Sequence, residues 1–404
     1  MTDVYHRRVL AQQMAQQLLK PRVLDRSLRS GLFLSGLRRT GKTTFVRQDL
    51  IPALESGEES RGVPGRAAVV IYVDLWANPR IPPAESILRA VRAKLRELED
   101  PRSAFWSALK RVASAEVAVP GLKLKFDLAQ LGEDGGATLA EAFTQVVDQA
   151  RTDLVLIVDE VQECLGRDDA QPLMQALKAA RDAINLRPDT PGYFLFIGTG
   201  SHRSLVQEMT VRRAEAFAGA VSHDYPVLDE GFVSWLLQQL SAQDNIARPS
   251  TAAAWRGFQD LGNRPEPFLD ALRILAHTVK PGEDPDALFR GIIFAKRDSL
   301  AERELGALED LGALAQLIFN RIATHEGEQA RGIYSNEALT SYSEAMGTEV
   351  RTEDVQTTVI AMQEKNLIRR QGRGAYSVTD PFVRQAWLER EALKSLPPGA
   401  RASS

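Results

Sequence analysis

The chain has 404 residues, enough for two or three domains of ordinary size. Hydrophobic residues at 44% and charged residues at 25% are globular proportions, which exclude a collagen-like or wholly disordered chain. A net charge of -3 excludes a global attraction to nucleic acid or membrane, so any such contact has to come from a local patch. Apolar runs such as residues 154–158 fall far short of the roughly 20 residues that span a bilayer. The first ten positions carry Asp3, His6, Arg7 and Arg8 with no apolar leader core. The expectation is a soluble, cytoplasmic protein without membrane contact. Cys164 is the single cysteine, so no internal disulfide can form.

Residues 4–19 place Val9, Met14, Leu18 and Leu19 among glutamines and predict an amphipathic helix stopped by Pro21. Residues 31–36 are a short apolar run that predicts a buried strand, followed by a Gly-rich turn and a helix over 42–50. Further strands are predicted over 67–73, 154–158 and 193–197, each a continuous apolar run of the kind covered on both faces of a parallel sheet. Helices over 83–99, 139–151 and 172–185 lie between them, which is the α/β rhythm. Residues 117–136 interrupt it: apolar and charged residues alternate with period two from Gly121 to Leu128, predicting an inserted hairpin or edge strand guarded by Lys123 and Lys125.

After Pro226 the strands give way to helices over 229–243, 251–261, 267–279 and 286–305, broken by Pro249, Pro265, Pro281 and Pro285. From Leu311 onward, helices over 311–325, 335–346 and 352–365 lead into strands over 366–370 and 375–378 around the turn Gln371-Gly-Arg-Gly374. Three helices followed by a hairpin predict a winged helix. Asp380, Phe382, Val383 and Trp387 are expected to dock the last helix on that module. The predicted organisation is an N-terminal helix plus core over 1–227, a helical lid over 228–308, a winged helix over 309–396 and a frayed tail over 397–404.

The run Gly36-Leu-Arg-Arg-Thr-Gly41-Lys42-Thr43 fits Gly-x4-Gly-Lys-Ser/Thr in full, between an apolar strand and a helix. The glycines let backbone N–H groups close around phosphate oxygens, and the following helix turns its positive end to the same anion. Lys42 then supplies charge to the β- and γ-phosphates and Thr43 a hydroxyl to Mg²⁺. Gly36, Leu37, Arg38, Arg39, Thr40, Gly41, Lys42, Thr43 and Thr44 are the candidate nucleotide-binding residues. The second half of the site is Asp159-Glu160, delivered by the buried run 154–158 to the edge where parallel strands end. Asp159 is the candidate metal ligand beside Thr43, and Glu160 the candidate to polarise an attacking water. Residues 193–201 form a further strand ending in hydroxyls, and either Thr199 or Ser201 is a candidate to reach the γ-phosphate or that water. Asp74, at the end of another strand, is either a supporting hydrogen-bond partner or structural.

The phosphate loop with its paired arginines, together with Val158-Asp-Glu-Val-Gln162, resembles the archaeal-type ATPases allied to the origin-recognition branch of the AAA+ superfamily and to the STAND ATPases. The resemblance implies an α/β P-loop NTPase parallel-sheet core with a helical lid and a winged helix, binding ATP and Mg²⁺. It also implies a polar sensor at Thr199 or Ser201 and hydrolysis in a site shared between subunits of a homo-oligomer. The trans-acting arginine of such relatives maps to Arg212 or Arg213, with Arg213 preferred. A lid sensor maps to Arg264 in Gly262-Asn-Arg-Pro265, a spacing one residue longer than the Gly-x-Pro of STAND proteins.

The function expected is a Mg²⁺-dependent ATPase that self-assembles and couples nucleotide state to a DNA or protein partner, in a setting such as a bacterial defence or mobile-element system. The alternatives are a STAND-like switch with little turnover and a winged-helix DNA-binding regulator. The wing offers Arg369, Arg370 and Arg373 to phosphates, whereas the third helix has no basic face. The five histidines show no metal-ligand spacing, and Cys164 reads as an inert buried thiol.

Overall fold

A computed structural model of the chain describes residues 4–21, 23–56, 67–100, 102, 122–123, 127–132, 136–212, 214–241, 247–325, 329–372 and 374–395. The chain divides into two compact units, one of Met1–Gly36 with Gly41–Pro226, the other of Leu37–Thr40 with Val227–Ser404.

The first unit opens with α1 (Arg8–Leu19), a 3-10 turn (Val23–Ser30) and β1 (Leu32–Ser35). Then α2 (Lys42–Phe45) passes through one π turn (Val46–Leu50) into α3 (Ile51–Ser56). After β2 (Ala68–Asp74) and α4 (Pro83–Glu99) come α5 (Leu139–Ala150), β3 (Asp153–Asp159) and α6 (Ala170–Asn185). The unit closes with β4 (Phe194–Gly200), α7 (Arg203–Val211) and β5 (Val221–Asp224). The five strands pair in parallel in the order β2-β3-β4-β1-β5.

Side chains alternate across this sheet and feed two separate cores. Leu154, Leu156 and Val158 of β3 join Phe194, Phe196 and Phe33 in one core, which takes Ile87, Val91 and Leu95 of α4 and Phe143 of α5. Val155 and Ile157 join Leu195, Ile197 and Leu34 in the other, under Leu18, Phe45, Leu50 and Leu54. A strand with apolar side chains on both faces therefore reads as an uninterrupted apolar run, which is why these strands are visible in sequence.

Two expectations need adjustment. α1 buries Ala11, Ala15, Leu18 and Leu19 but leaves Val9 exposed, because the short alanines let it lie close on α3. Of the hairpin predicted over 117–136, residues 117–121, 124–126 and 133–135 fall outside the described residues. The rest is no strand: Leu122 is buried, the Lys123 backbone exchanges hydrogen bonds of 2.9 Å in both directions with the Gln149 side chain, and Leu128–Gln130 is a 3-10 turn.

The second unit begins with α8 (Glu230–Ser241), α9 (Thr251–Asp260), α10 (Pro265–Thr278) and α11 (Pro285–Glu309). Phe232, Phe258, Phe268 and Phe289 pack in series, tilted or edge to face, with ring centroids 5.0 to 6.1 Å apart in its core. There follow α12 (Ala313–Ala323), β6 (Ala330–Arg331), α13 (Asn336–Met346), α14 (Thr352–Glu364), β7 (Ile368–Gly372) and β8 (Ala375–Val378). β6 was not predicted. It pairs antiparallel with β8, giving a three-stranded sheet in the order β6-β8-β7. Helix, strand, two helices and a hairpin is the winged-helix order. The last helix, α15 (Pro381–Ser395), docks as expected: Trp387 packs edge-on against Phe319 at 5.4 Å, and its indole N–H donates to Asn320 Oδ1 at 3.0 Å. The predicted tail, residues 397–404, falls outside the described residues. No described helix is long and apolar enough to cross a membrane.

Candidate nucleotide-binding site

The phosphate loop leaves β1 at Gly36, whose N–H donates to Gly200 O at 3.1 Å. Leu37–Thr40 turns back on itself, Thr40 Oγ1 donating to Leu37 O at 2.8 Å, with Arg38 and Arg39 exposed. Gly41 then takes φ 86°, a left-handed conformation that suits glycine, and opens α2 without a side-chain cap. The uncapped N-terminal end of the helix suits an anion. Lys42 is buried, Thr43 half-buried and Thr44 exposed.

Sheet register brings the acids to the loop. Asp159 pairs with Thr199 across β3 and β4, and Tyr72 on β2 points to the same face. The Asp159 carboxylate accepts from Thr43 Oγ1 at 2.7 Å, from Tyr72 OH at 3.3 Å and from Thr199 Oγ1. Lys42 Nζ lies 3.5 Å from Asp159 Oδ1 and 3.8 Å from Glu160 Oε1. Burial pushes the Asp159 pKa up, but the Lys42 ammonium, the hydroxyls of Thr199 and Thr43 and the Glu160 N–H together hold it below the ordinary aspartate value.

Glu160 sits just past the strand at φ 56°, ψ 44°, an uncommon conformation for a residue with a side chain. Its Oε2 accepts from Ser201 N at 3.1 Å, Ser201 Oγ at 2.9 Å and Gln162 Nε2 at 2.6 Å. The two hydroxyls left open by the sequence thus divide: Thr199 serves Asp159, and Ser201 serves Glu160. β4 runs on through Gly200, so these hydroxyls stand on a strand and at its end, not in a turn.

The remaining candidates fall elsewhere. Asp74 pairs in register with Asp159, yet its carboxylate accepts from Trp76 N at 2.9 Å and closes a local turn. Arg212 is exposed just past α7 and pairs with Glu208 at 2.6 Å; Arg213 lies outside the described residues. Arg264, the residue expected as lid sensor, stands in a structural setting of its own. The side chain is buried within the second unit, against the Asp380 carboxylate and 5.0 Å from the Phe382 ring centre. The turn before it, with Gly262 and Asn263 at positive φ and Pro265 in the first turn, opens α10. Cys164 is buried, and burial with Asp169 and Glu163 nearby pushes its thiol up to about 12. Tyr72 and Gln162 were the contacts that sequence reasoning missed.

The donor set fits a hard cation. Thr43 Oγ1 and the Asp159 carboxylate are oxygens in direct contact, and among the described residues no larger cage of His, Cys, Asp or Glu competes with them. Mg²⁺ is commonly held by one or two protein oxygens plus substrate phosphates.

No protein-family model and no curated protein matches this sequence. Among solved structures the chain is similar to the Walker-type ATPase of Pyrococcus abyssi, with TM-score 0.51 and 18% identity over 90% of this chain and 93% of that one. It is also similar to the ORC2 protein of Aeropyrum pernix in its ADP form, with TM-score 0.52 and 12% identity over 100% and 96% of the two chains. The ADPNP-ADP complexes of that protein give TM-score 0.50 at 13% identity, over 97% and 96%. The likeness is one of fold: this chain shares with those proteins an α/β architecture built on a parallel five-stranded sheet in the order β2-β3-β4-β1-β5.

Proposed function

We infer that the protein is a Mg²⁺-dependent ATPase that binds ATP on residues 36–44, assembles with copies of itself and couples its nucleotide state to a macromolecular partner. The observation that carries this reading is the separate seating of two adjacent acids. Asp159 is tied to Thr43, Tyr72 and Thr199, while Glu160 is tied to Ser201 and Gln162, with Lys42 within 3.8 Å of both. An acid held for a metal and an acid held for water are what phosphoryl transfer to water requires. The solved ORC2 complexes with ADP and ADPNP are consistent with nucleotide binding on this fold.

Lys42 would exchange the carboxylates for the β- and γ-phosphates, and Thr43 with Asp159 would hold the Mg²⁺. When bound, Mg²⁺ neutralises charge developing on the phosphates. Glu160 orients a water and accepts its proton as the water oxygen bonds to the γ-phosphorus. The bond from that phosphorus to the bridging oxygen breaks, and ADP leaves with the electron pair. Arg212 and Arg213 remain the proposed trans-acting residues for assembly-dependent turnover.

The partner is proposed to meet the winged helix, and charge favours a protein over DNA there. Residues 332–364, which hold α13 and α14, contain Glu337, Glu344, Glu349, Glu353, Asp354 and Glu364 against Arg351 alone. The Thr357 and Thr358 hydroxyls donate to backbone carbonyls within their own helix, at 3.0 and 2.8 Å. A helix read into a major groove would put these acids beside phosphates.

A second reading, a nucleotide-controlled switch with little turnover, draws on the three donors that already occupy Glu160 Oε2. Phosphate release from ATP by wild type and by Glu160→Gln, across protein concentration, separates the two. The ATPase reading expects wild-type turnover that rises faster than linearly with concentration. It also expects a loss of about 10²-fold or more in Glu160→Gln with ATP binding retained. Binding without turnover in either protein favours the switch.

A further inference from the structure

Gln162 belongs to the Val158-Asp-Glu-Val-Gln162 run, but nothing in the sequence gives it a task. Its side chain is buried beside the two acids. Nε2 donates to Glu160 Oε2 at 2.6 Å, the same oxygen that takes both the N–H and the hydroxyl of Ser201. Three donors on one oxygen fix the carboxylate's rotation and leave Oε1, 3.8 Å from Lys42 Nζ, as the oxygen free to meet a water.

Two features say that this is more than packing. Gln162 Oε1 is buried and has no hydrogen-bond partner among the described residues. An apolar side chain of similar volume would fill the same space without leaving an acceptor unpaired, so the amide is there for its donor. The neighbouring strand also makes room for it. A Cβ on Gly200 would clash with Gln162 Oε1 and also with Val206 Cγ2, so the glycine at the end of β4 leaves the room in which the amide lies. Glu160 itself holds a left-handed backbone conformation, which sets its carboxylate direction only if partners further along the chain keep it there.

We propose that Gln162 is a positioning residue for hydrolysis: together with Ser201 it clamps Oε2 of Glu160 so that Oε1 alone faces the attacking water, and Gly200 provides its seat. This rests on the ATPase reading above. The side chain acts through the Glu160 carboxylate, so its loss should appear in kcat and not in binding.

The test compares wild type with Gln162→Met, which keeps the volume and removes the donor. Steady-state ATP hydrolysis is read alongside binding of a fluorescent ATP analogue and the unfolding midpoint of the nucleotide-free protein. Expected is a fall in kcat of roughly 10- to 100-fold, with KM, analogue affinity and midpoint little changed. Gly200→Ala should give a similar kcat loss by displacing the amide. In Glu160→Gln, Gln162→Met should leave the residual single-turnover rate unchanged, since it acts only through that carboxylate. An unchanged kcat in a folded Gln162→Met overturns the proposal, as do equal losses with and without Glu160, or a parallel loss of nucleotide affinity. Absence of turnover in wild type removes the ATPase reading and this inference with it. Wild-type turnover with an unaffected Gln162→Met removes this inference alone.

Discussion

Asp159 and Glu160 are neighbours in the chain but serve different partners, and the consequence for Asp159 reaches beyond any chemistry. Burial works against its charge, yet Lys42, two hydroxyls and a backbone N–H outweigh it, so the folded carboxyl lies below its unfolded value. As pH falls, the unfolded chain therefore binds this proton first. The stability that Asp159 contributes is complete above the unfolded aspartate range and is lost as pH drops through the folded value. Urea unfolding followed from pH 7 to pH 3 should show wild type losing stability below about pH 4 more steeply than Asp159→Asn does. Equal slopes would mean that Lys42 and the hydroxyls do not hold the charge in the folded state. Such a site was readable in sequence only as far as its spacing is local. The loop from Gly36 to Thr43 and the acid pair after an apolar run declare themselves, because each is one strand and its immediate exit. Tyr72 does not, because its contact depends on how β2 registers with β3, and Gln162 does not, because its contact with Glu160 two residues earlier follows from the left-handed backbone at Glu160, which no spacing marks.

At the scale of elements, the same distinction separates what was legible from what was not. The strands buried on both faces and the helices with a long apolar stripe were visible to within a few residues. The apolar run over 193–197 marks only the first part of β4, and the strand continues through Gly198 and Thr199 to Gly200 by pairing with Phe33, Leu34 and Ser35. β6 has two residues and exists only through its pairing with β8, so no local pattern could mark it. Arg264 shows a third kind of gap, a residue whose local motif gives no sign of the carboxylate that the fold sets against it. Arg264 and Asp380 are buried together within the second unit, and Asp380 Oδ1 also takes the Phe382 N–H at 3.0 Å, fixing the start of α15. Removing one member leaves the other charge buried without its partner. Asp380→Ala should destabilise the second unit by about 3 to 5 kcal/mol, read as a shift of its urea transition, and pairing it with Arg264→Met should recover most of the loss. If the single variant costs under about 1 kcal/mol, the ion pair is solvated in solution and α15 is anchored by Trp387 instead.

Over the whole chain, the charge balance decides how a winged helix can be used. With a net charge of -3 there is no long-range pull toward a polyanion, and residues 332–364 carry six acids against Arg351. The wing carries basic residues of its own, and two of them are partly engaged: Arg369 Nε donates to Ser377 Oγ at 3.3 Å and Arg370 Nε to Gly372 O at 3.1 Å. Salt dependence turns this distribution into a number, because each phosphate neutralised contributes about -0.9 to the slope of log K against log salt. If the wing alone meets duplex DNA, through Arg369, Arg370 and Arg373, the slope should be about -2 to -3, with an affinity in the non-specific range of roughly 10⁻⁴ to 10⁻⁶ M at physiological salt. Fluorescence anisotropy of a labelled duplex from 50 to 300 mM salt, with wild type and with Arg369→Ala/Arg370→Ala, gives that slope directly. The double variant should lose about 2 from it. A slope near -8, or one unmoved by the double variant, would mean that a larger basic surface elsewhere in the chain meets the DNA, and the argument from α13 and α14 to a protein partner would fall.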